Sequence, residues 1–159
     1  MDQCVVQIKA GLPCARQWWQ HRSDEASTTP ATPDCCPKGA AALSGETDLG
    51  RLLAGLNPVL DPVEYSFESG AEAPALGDAF AIIREPEGVT VIAPGSGWAR
   101  IMLGVHSSLA AVGLTARVAE ALAQGGISAN IVAAYHHDHV FVPWERRDEA
   151  LAVLHGLRA

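Results

Sequence analysis

The sequence is poor in basic residues, and those present are not clustered. Lys and Arg number 11 against 18 Asp and Glu, which gives a formal net charge of -7 at pH 7. Proteins that bind nucleic acid concentrate Lys and Arg on one face to contact phosphates, whereas the only adjacent basic pair here is Arg146 and Arg147. We therefore expect no nucleic-acid partner.

Long apolar runs are also absent. No stretch approaches the roughly 20 apolar residues that a membrane-spanning helix needs. Near the N-terminus, Lys9, Pro13 and Arg16 interrupt any apolar core of a secretory signal. These absences predict a protein that has no membrane partner and is located in the cytoplasm.

Cysteine is missing after residue 36. Cys4, Cys14, Cys35 and Cys36 lack the paired C-x-x-C spacing of a structural zinc site, and the two adjacent ones are poorly placed for an ordinary disulfide framework. We interpret them as four thiols without a shared function, and no cofactor is expected.

A change of composition near Gly45 divides the chain. Residues 1–45 are rich in Ser, Thr, Pro, Ala and Gly, with few large apolar side chains to offset the entropy of ordering them. We predict a disordered tail there and interpret it as sequence ahead of a true start near residue 44. Its four basic and four acidic groups cancel, so the whole charge of -7 belongs to residues 46–159.

Residues 46–97 predict a small α+β module. In "LGRLLAGL", the leucines fall on one helical stripe after Thr47 or Asp48, either of which can cap the helix. "EYSFES" alternates like a strand. The β-rich runs "AFAIIR" and "VTVIA" are joined by "EPEG", which indicates a hairpin turn.

Residues 98–159 predict the order β-α-β-β-α. The elements are the strand "WARIMLGVH", the helix "GLTARVAEALAQGG", the strands "ISANIVAAYH" and "HVFVPW" around the turn "HHDH", and the helix "ERRDEALAVLHGL". A β-α-β-β-α-β unit of the ferredoxin-like kind needs a fourth strand, and none follows Leu157. The missing strand must come from upstream, from residues 65–93, or from another subunit.

The chain resembles a family of small bacterial proteins built from two ACT-type modules. The resemblance lies in "ETDLGRLLAGLNPVLDPVEYSF", "AFAIIREPEGVTVIAP" and "VHSSLAAVGLTARVAEALAQGGISANIVAAYHHDHVFVP", and it covers about residues 46–157. It implies an α+β fold of two ferredoxin-like, βαββαβ-related modules that share or exchange a strand. By this resemblance, residues 46–97 form the N-terminal ACT-like module and residues 98–159 the C-terminal one.

The resembling family is related to the ACT modules of aspartate kinases and of cytosolic arginine sensors. The resemblance therefore implies a regulatory or sensor protein that binds a small metabolite, most often an amino acid, and it implies no enzyme activity. Because the edge strands of such modules must be covered, we also expect a homodimer. A ligand-free adaptor is an alternative.

The loop "HSSLAAVGLT", residues 106–115, is the candidate ligand site. Free backbone N–H groups and the positive end of the following helix favour a carboxylate, the serine hydroxyls can donate, and the glycine lets the backbone come close. The resemblance adds "VGLTA" as a ligand-contacting edge and "SANIV" as the facing strand. The alternative is that the serines only cap the helix and the glycine only permits the turn. The predicted ligand-binding residues are Ser107, Ser108, Gly113, Leu114, Thr115, Asn130 and Ile131.

The run "HHDH", residues 136–139, carries three histidines. On a strand, His137 and His139 would share a face, and a zinc site would need a further ligand such as His106. We prefer a polar hairpin tip in which Asp138 makes an Asx-type turn and the imidazoles are solvated, so no metal site is predicted. The alternative is a metal-binding protein or an enzyme that uses this run.

Overall fold

The structure is a computed structural model that describes residues 6–7, 45–72, 77 and 79–158. The four cysteines lie outside the described residues. So does the predicted disordered tail, apart from Val6, Gln7 and Gly45. Within the described residues, no helix is both long enough and apolar enough to cross a membrane.

The described elements are three helices and seven strands that form one mixed sheet. The strands lie side by side in the order β1-β6-β7-β5-β2-β4-β3, and each neighbouring pair is antiparallel except β1 and β6. A short 3₁₀ turn, Trp144–Arg146, leads into the last helix. The elements are β1 (Val6–Gln7), α1 (Leu49–Ala54), β2 (Val59–Gly70), β3 (Ala81–Glu85), β4 (Gly88–Pro94), β5 (Trp98–Met102), α2 (Leu114–Gln124), β6 (Asn130–Ala133), β7 (Asp138–Pro143) and α3 (Arg147–His155).

Strand β2 supplies the strand that the C-terminal half lacks. Its first part, from Val59 to Tyr65, pairs with β5, and its second part, from Tyr65 to Gly70, pairs with β4. The order β6-β7-β5-β2 completes the four-stranded sheet that a β-α-β-β-α-β unit requires. The predicted α+β fold with a shared strand is therefore confirmed, and the strand begins upstream of residue 65.

Strand β2 is longer than the predicted strand "EYSFES". It extends back through Pro62, and its pairing with β5 shifts register between Leu60 and Glu64. Proline has no N–H group to donate to a ladder, so it is tolerated in strands at such irregularities. The sequence shows no regular alternation there, which explains why the periodicity missed the beginning of the strand.

The chain crosses β2 between β4 and β5, because these consecutive strands lie on opposite sides of it. The N–H of Gly95 donates to the carbonyl of Glu64 at 2.9 Å, and the N–H of Gly97 donates to its Oε1 at 2.7 Å. A Cβ at position 95 would overlap the side chain of Ser66. Glycine is therefore required where the two backbones come this close.

The main apolar core lies on one face of the sheet, where the three described helices pack. Alternation along β7 explains the division, because Val140 and Val142 face the helices while Phe141 points to the opposite face. That opposite face carries a smaller, mostly aromatic cluster. The buried residues of the main core are Leu52, Leu56, Ala99, Ile101, Leu103, Leu114, Val118, Ala119, Leu122, Ile127, Ile131, Val140, Val142, Ala150 and Leu154.

The helices begin and end close to their predicted positions. Asp48 caps α1, since its Oδ1 accepts the N–H of Arg51 at 2.8 Å. Helix α2 ends before Gly125, whose N–H bonds back to carbonyls of the helix. Leu52 of α1 is fully buried in the same core as α2 and α3, so the two halves of the chain share one hydrophobic core.

Candidate functional site

The loop between β5 and α2 is held in place by the segment that precedes α1. The N–H of Glu46 donates to the carbonyl of His106 at 3.0 Å, and the N–H of Ser108 donates to the carbonyl of Glu46 at 3.0 Å. Glu46 and Ser107 thereby form a parallel bridge. Ser107 and Ser108 are both buried, although they belong to a loop.

A cavity of about 300 Å³ lies between this loop, the start of α2 and the ends of β6 and β7 that face the loop. Its volume is at the lower end of the roughly 300–1,000 Å³ found for small-ligand pockets. Half of the lining side chains are polar and half are apolar. The lining residues are Ser107, Ser108, Leu109, Ala111, Leu114, Thr115, Ala133 and Asp138.

Asp138 is the charged residue of the cavity wall, and it is only 7% exposed. Burial raises the pKa of its carboxyl group, while a hydrogen bond from Ser107 and the nearby His137 act in the opposite direction. A buried carboxylate is usually offset by a cation or by several N–H donors. Here its side-chain partner is a neutral hydroxyl, which leaves the carboxylate able to accept a cation from the cavity.

The N-terminus of α2 forms another part of the cavity wall. Gly113 precedes the helix with a φ of 100°, offers no side chain to cap it, and no acidic residue lies in the first turn. The first N–H groups of a helix have no partner within it and carry partial positive charge. Leu114 and Thr115 line the cavity, so the N-terminus of α2 adjoins it.

Four of the predicted ligand-binding residues lie together at the cavity. They are Ser107, Ser108, Leu114 and Thr115. Gly113 is adjacent in sequence but does not line the cavity, and a Cβ there would lie 3.1 Å from the side chain of Leu49.

Asn130 and Ile131, by contrast, lie away from the cavity wall. Asn130 is exposed at the beginning of β6, and Ile131 is buried in the core beneath the helices. Strand β6 reaches the cavity with its other end, at Ala133.

The prediction that Asp138 forms an Asx-type turn is wrong. Asp138 begins β7 and pairs with Ala133 of β6, so the connection between these strands consists of residues 134–137. One signal for this placement is present in the sequence. On a strand Asp138 alternates in phase with Val140 and Val142, and these valines face the helices.

The three histidines of the alternative metal site do not come together. His139 packs against Phe80 on the sheet face opposite the described helices, with ring centroids 4.9 Å apart. His106 and His137 lie near each other beside the loop, with ring centroids 6.4 Å apart. The Nδ1 of His137 is 3.1 Å from the carbonyl of Val105. Among the residues the structure describes, no three His, Cys, Asp or Glu side chains could hold a metal ion.

A second polar cluster lies on the sheet face opposite the described helices. The guanidinium of Arg100 forms an ion pair with Asp61 and lies over the rings of Tyr65 and Phe80, at 5.1 and 4.5 Å from their centroids. Asp61 also accepts the hydroxyl of Tyr65 at 3.1 Å. Burial and the nearby Arg100 lower the pKa of His139 to about 4. This cluster ties β2 to β5 and is separate from the cavity.

Two ACT-domain family models match the chain in tandem, at residues 44–97 and 95–156. The crystal structure of a protein of unknown function from Vibrio cholerae, described as a possible transport protein, is 38% identical with a TM-score of 0.61; the match covers 70% of this chain and 96% of that one. A protein from Agobacterium tumefaciens is 19% identical with a TM-score of 0.47, over 59% of this chain and 81% of that one. No curated protein matches the chain.

The chain therefore belongs to the ACT-domain family and carries two such modules in tandem. ACT domains are regulatory modules that bind small molecules, and this class of function applies to the chain.

Proposed function

We propose that the protein is an amino-acid sensor or regulatory protein and that it binds its ligand in the cavity beside the loop of residues 106–115. The observation that carries the proposal is the buried carboxylate of Asp138, which lines the cavity with a hydroxyl as its side-chain partner. An ammonium group of the ligand would offset the cost of burying this carboxylate.

The N-terminus of α2 would bind the carboxylate of the amino acid. The uncapped N-terminus of α2 offers N–H groups and a positive dipole end to a carboxylate. An α-amino acid carries an ammonium and a carboxylate on one carbon atom, so it matches the two features of the wall. The volume of about 300 Å³ also suits a molecule of this size.

Occupation of the cavity would be sensed by the N-terminal half through the loop that lines it. Ser107 and Ser108 are joined to Glu46 by backbone pairing. The carboxylate of Glu46 in turn accepts the N–H groups of Thr47 and Asp48 at the start of α1. The loop can be paired with the segment that contains Glu46 or released from it. A ligand that binds the paired state more tightly shifts the equilibrium toward that state, by an amount set by the difference between its two affinities.

The proposal is tested by thermal unfolding of the full chain against the common amino acids, once with a chelator and once with added zinc. A ligand at 100 times its Kd stabilises the native state by about 2.7 kcal/mol, which raises the midpoint by several degrees. We expect such a rise with at least one amino acid, independent of the chelator, and its loss in Asp138→Asn. Asp148→Asn is the matched control, because Asp148 is exposed on α3.

Each other outcome selects an alternative. A rise that persists in Asp138→Asn would contradict the role of this carboxylate. A rise with zinc alone would favour the metal-binding alternative, and no response to any addition would favour the ligand-free adaptor.

A homodimer joined through a sheet edge and a cytoplasmic location remain predictions. Sedimentation velocity of the full chain over a range of concentrations tests the dimer.

A further inference from the structure

The charges of the cavity wall restrict which amino acids can bind, and this inference rests on the function proposed above. Of the described residues that line the cavity, one is acidic, Asp138, and none is Lys or Arg. The remaining polar groups are the hydroxyls of Ser107, Ser108 and Thr115. The described wall therefore has one negative side chain, which can neutralise one cation of the ligand. It has no positive side chain to neutralise an anionic side chain of the ligand.

We propose that the ligand is an amino acid whose side chain carries no charge. Once the α-ammonium occupies Asp138, the side-chain cation of lysine or arginine would be buried without a carboxylate. The side chain of glutamate or aspartate would lie near Asp138 without a basic residue in the wall. An unpaired buried charge costs several kcal/mol, whereas a neutral side chain incurs no such cost.

Two charged groups in neighbouring parts of the described structure are already engaged. The carboxylate of Glu46 accepts two backbone N–H groups at the start of α1 and lies 3.7 Å from Arg51. Arg100 is paired with Asp61 on the opposite face of the sheet. Neither group is therefore free to neutralise a charged ligand side chain.

Histidines lie in the described segments near Asp138. His137 precedes it in the chain, and His106 and His136 lie on the neighbouring loop and turn, with their ring centroids 5.2 Å apart. None of the three lines the cavity. Of these three, His137 acts electrostatically on Asp138.

The rest of the wall suits a neutral side chain. Leu109, Ala111, Leu114 and Ala133 offer apolar surface. The hydroxyl of Ser108 accepts the N–H of Ala110 at 3.2 Å and keeps its own proton to donate. Aliphatic side chains and side chains with a hydroxyl or amide group therefore fit the inference equally.

The test uses pairs of amino acids that differ in charge at similar size, titrated calorimetrically into the full chain at pH 7. The pairs are glutamine with glutamate, and norleucine with lysine. We expect at least one neutral member to bind, and to bind at least about tenfold tighter than its charged partner, which corresponds to about 1.4 kcal/mol.

The outcomes separate this inference from the function on which it rests. A charged amino acid that binds as tightly as its neutral partner, and that loses affinity in Asp138→Asn, would overturn the inference and leave the amino-acid site intact. Failure of every amino acid to bind would overturn both.

A pair of variants tests the missing counter-charge directly. Leu109 lines the cavity but belongs to neither apolar core cluster, so its replacement spares the fold. Leu109→Asp is expected to raise the affinity for lysine relative to norleucine, and the isosteric Leu109→Asn is expected not to. An unchanged preference in Leu109→Asp would mean that the missing carboxylate is not what excludes lysine, and would overturn the inference.

Discussion

At the scale of single residues, Asp138 connects stability with binding. Its pKa is raised because burial disfavours the charged form, so the folded protein is less stable at neutral pH than it would be with a neutral group there. A carboxylate that lowers stability in the absence of ligand is typical of a binding site, where the partner charge arrives with the ligand.

The stability of Asp138→Asn follows from this pKa. Asparagine keeps an oxygen for the hydroxyl of Ser107 but carries no charge, so the free energy of unfolding at pH 7 should rise. The advantage should shrink as the pH falls through the raised pKa of Asp138 and disappear below pH 3.8, where the carboxyl is protonated in both the folded and the unfolded state. Urea denaturation of the variant and of the wild type at pH 7 and pH 4 measures this difference in the free energy of unfolding. A variant that is less stable than the wild type at pH 7 would contradict the argument.

His139 should make the protein sensitive to mild acid. Its pKa is lowered from 6.5 in the unfolded chain to about 4 in the folded state, so between these values the unfolded state binds the proton first. The stability that is linked to the neutral form of His139 is fully present above pH 6.5 and decreases as the pH falls toward 4. We expect His139 to account for about 2 kcal/mol of this loss, allowing for its partial exposure to solvent.

The measurement for His139 is chemical denaturation at pH 7.0 and pH 4.5. His139→Leu, which can pack against Phe80, should lose less stability on acidification than the wild type. His155→Leu, at the exposed end of α3, is the control and should behave like the wild type. Equal pH dependence in all three proteins would count against a role for His139.

At the scale of elements, the contact between β2 and β5 joins the two halves of the chain. The ion pair of Arg100 and Asp61 bridges these strands, with side chains only 21% and 16% exposed. The guanidinium also covers the ring of Phe80. The shared strand is therefore fixed by a partly buried charge pair as well as by its backbone ladder.

Arg100→Met should destabilise the protein by about 2 kcal/mol, because it leaves the partly buried carboxylate of Asp61 without its cation. Arg51→Met removes an exposed pair with Glu46 at 3.7 Å and should change stability by less than about 0.5 kcal/mol. Denaturant midpoints of the two variants and the wild type decide the matter. Similar small losses in both variants would show that the pair on the sheet contributes little.

At the scale of the whole molecule, the two modules should not fold independently. Strand β2 completes the sheet of the C-terminal half, and Leu52 and Leu56 of α1 lie in the same core as α2 and α3. Separation of the halves would expose an edge of β5 and open the core.

Residues 98–159 alone should therefore remain unfolded or aggregate, while the full chain unfolds in one transition. Circular dichroism and the fluorescence of Trp98 and Trp144 should give the same midpoint for the full chain. A stable, cooperatively folded fragment of residues 98–159, or two separate transitions in the full chain, would contradict this expectation.

Features of the fold that depend on residues close together in sequence could be predicted from the sequence alone. The leucine stripe that includes Leu52, the cap at Asp48, the glycines after α2 and the β3–β4 hairpin all appear at their predicted positions. The missing strand was also evident, because the order of elements in the C-terminal half is incomplete without it. Local periodicity and turn chemistry act over a few residues, so they can be read along the chain.

The contacts between residues that are distant in sequence depend on the tertiary fold. Asp138 pairs with Ala133, so it lies in a strand and lines the cavity. The residue type of Asp138 alone predicts a turn. Pairing with Glu46 buries the loop serines, and nothing near Glu46 in the sequence indicates this contact. Asn130, chosen for its chemistry, lies at the opposite end of β6 from the cavity. The register of distant strands sets these positions, and register depends on contacts that no local pattern contains.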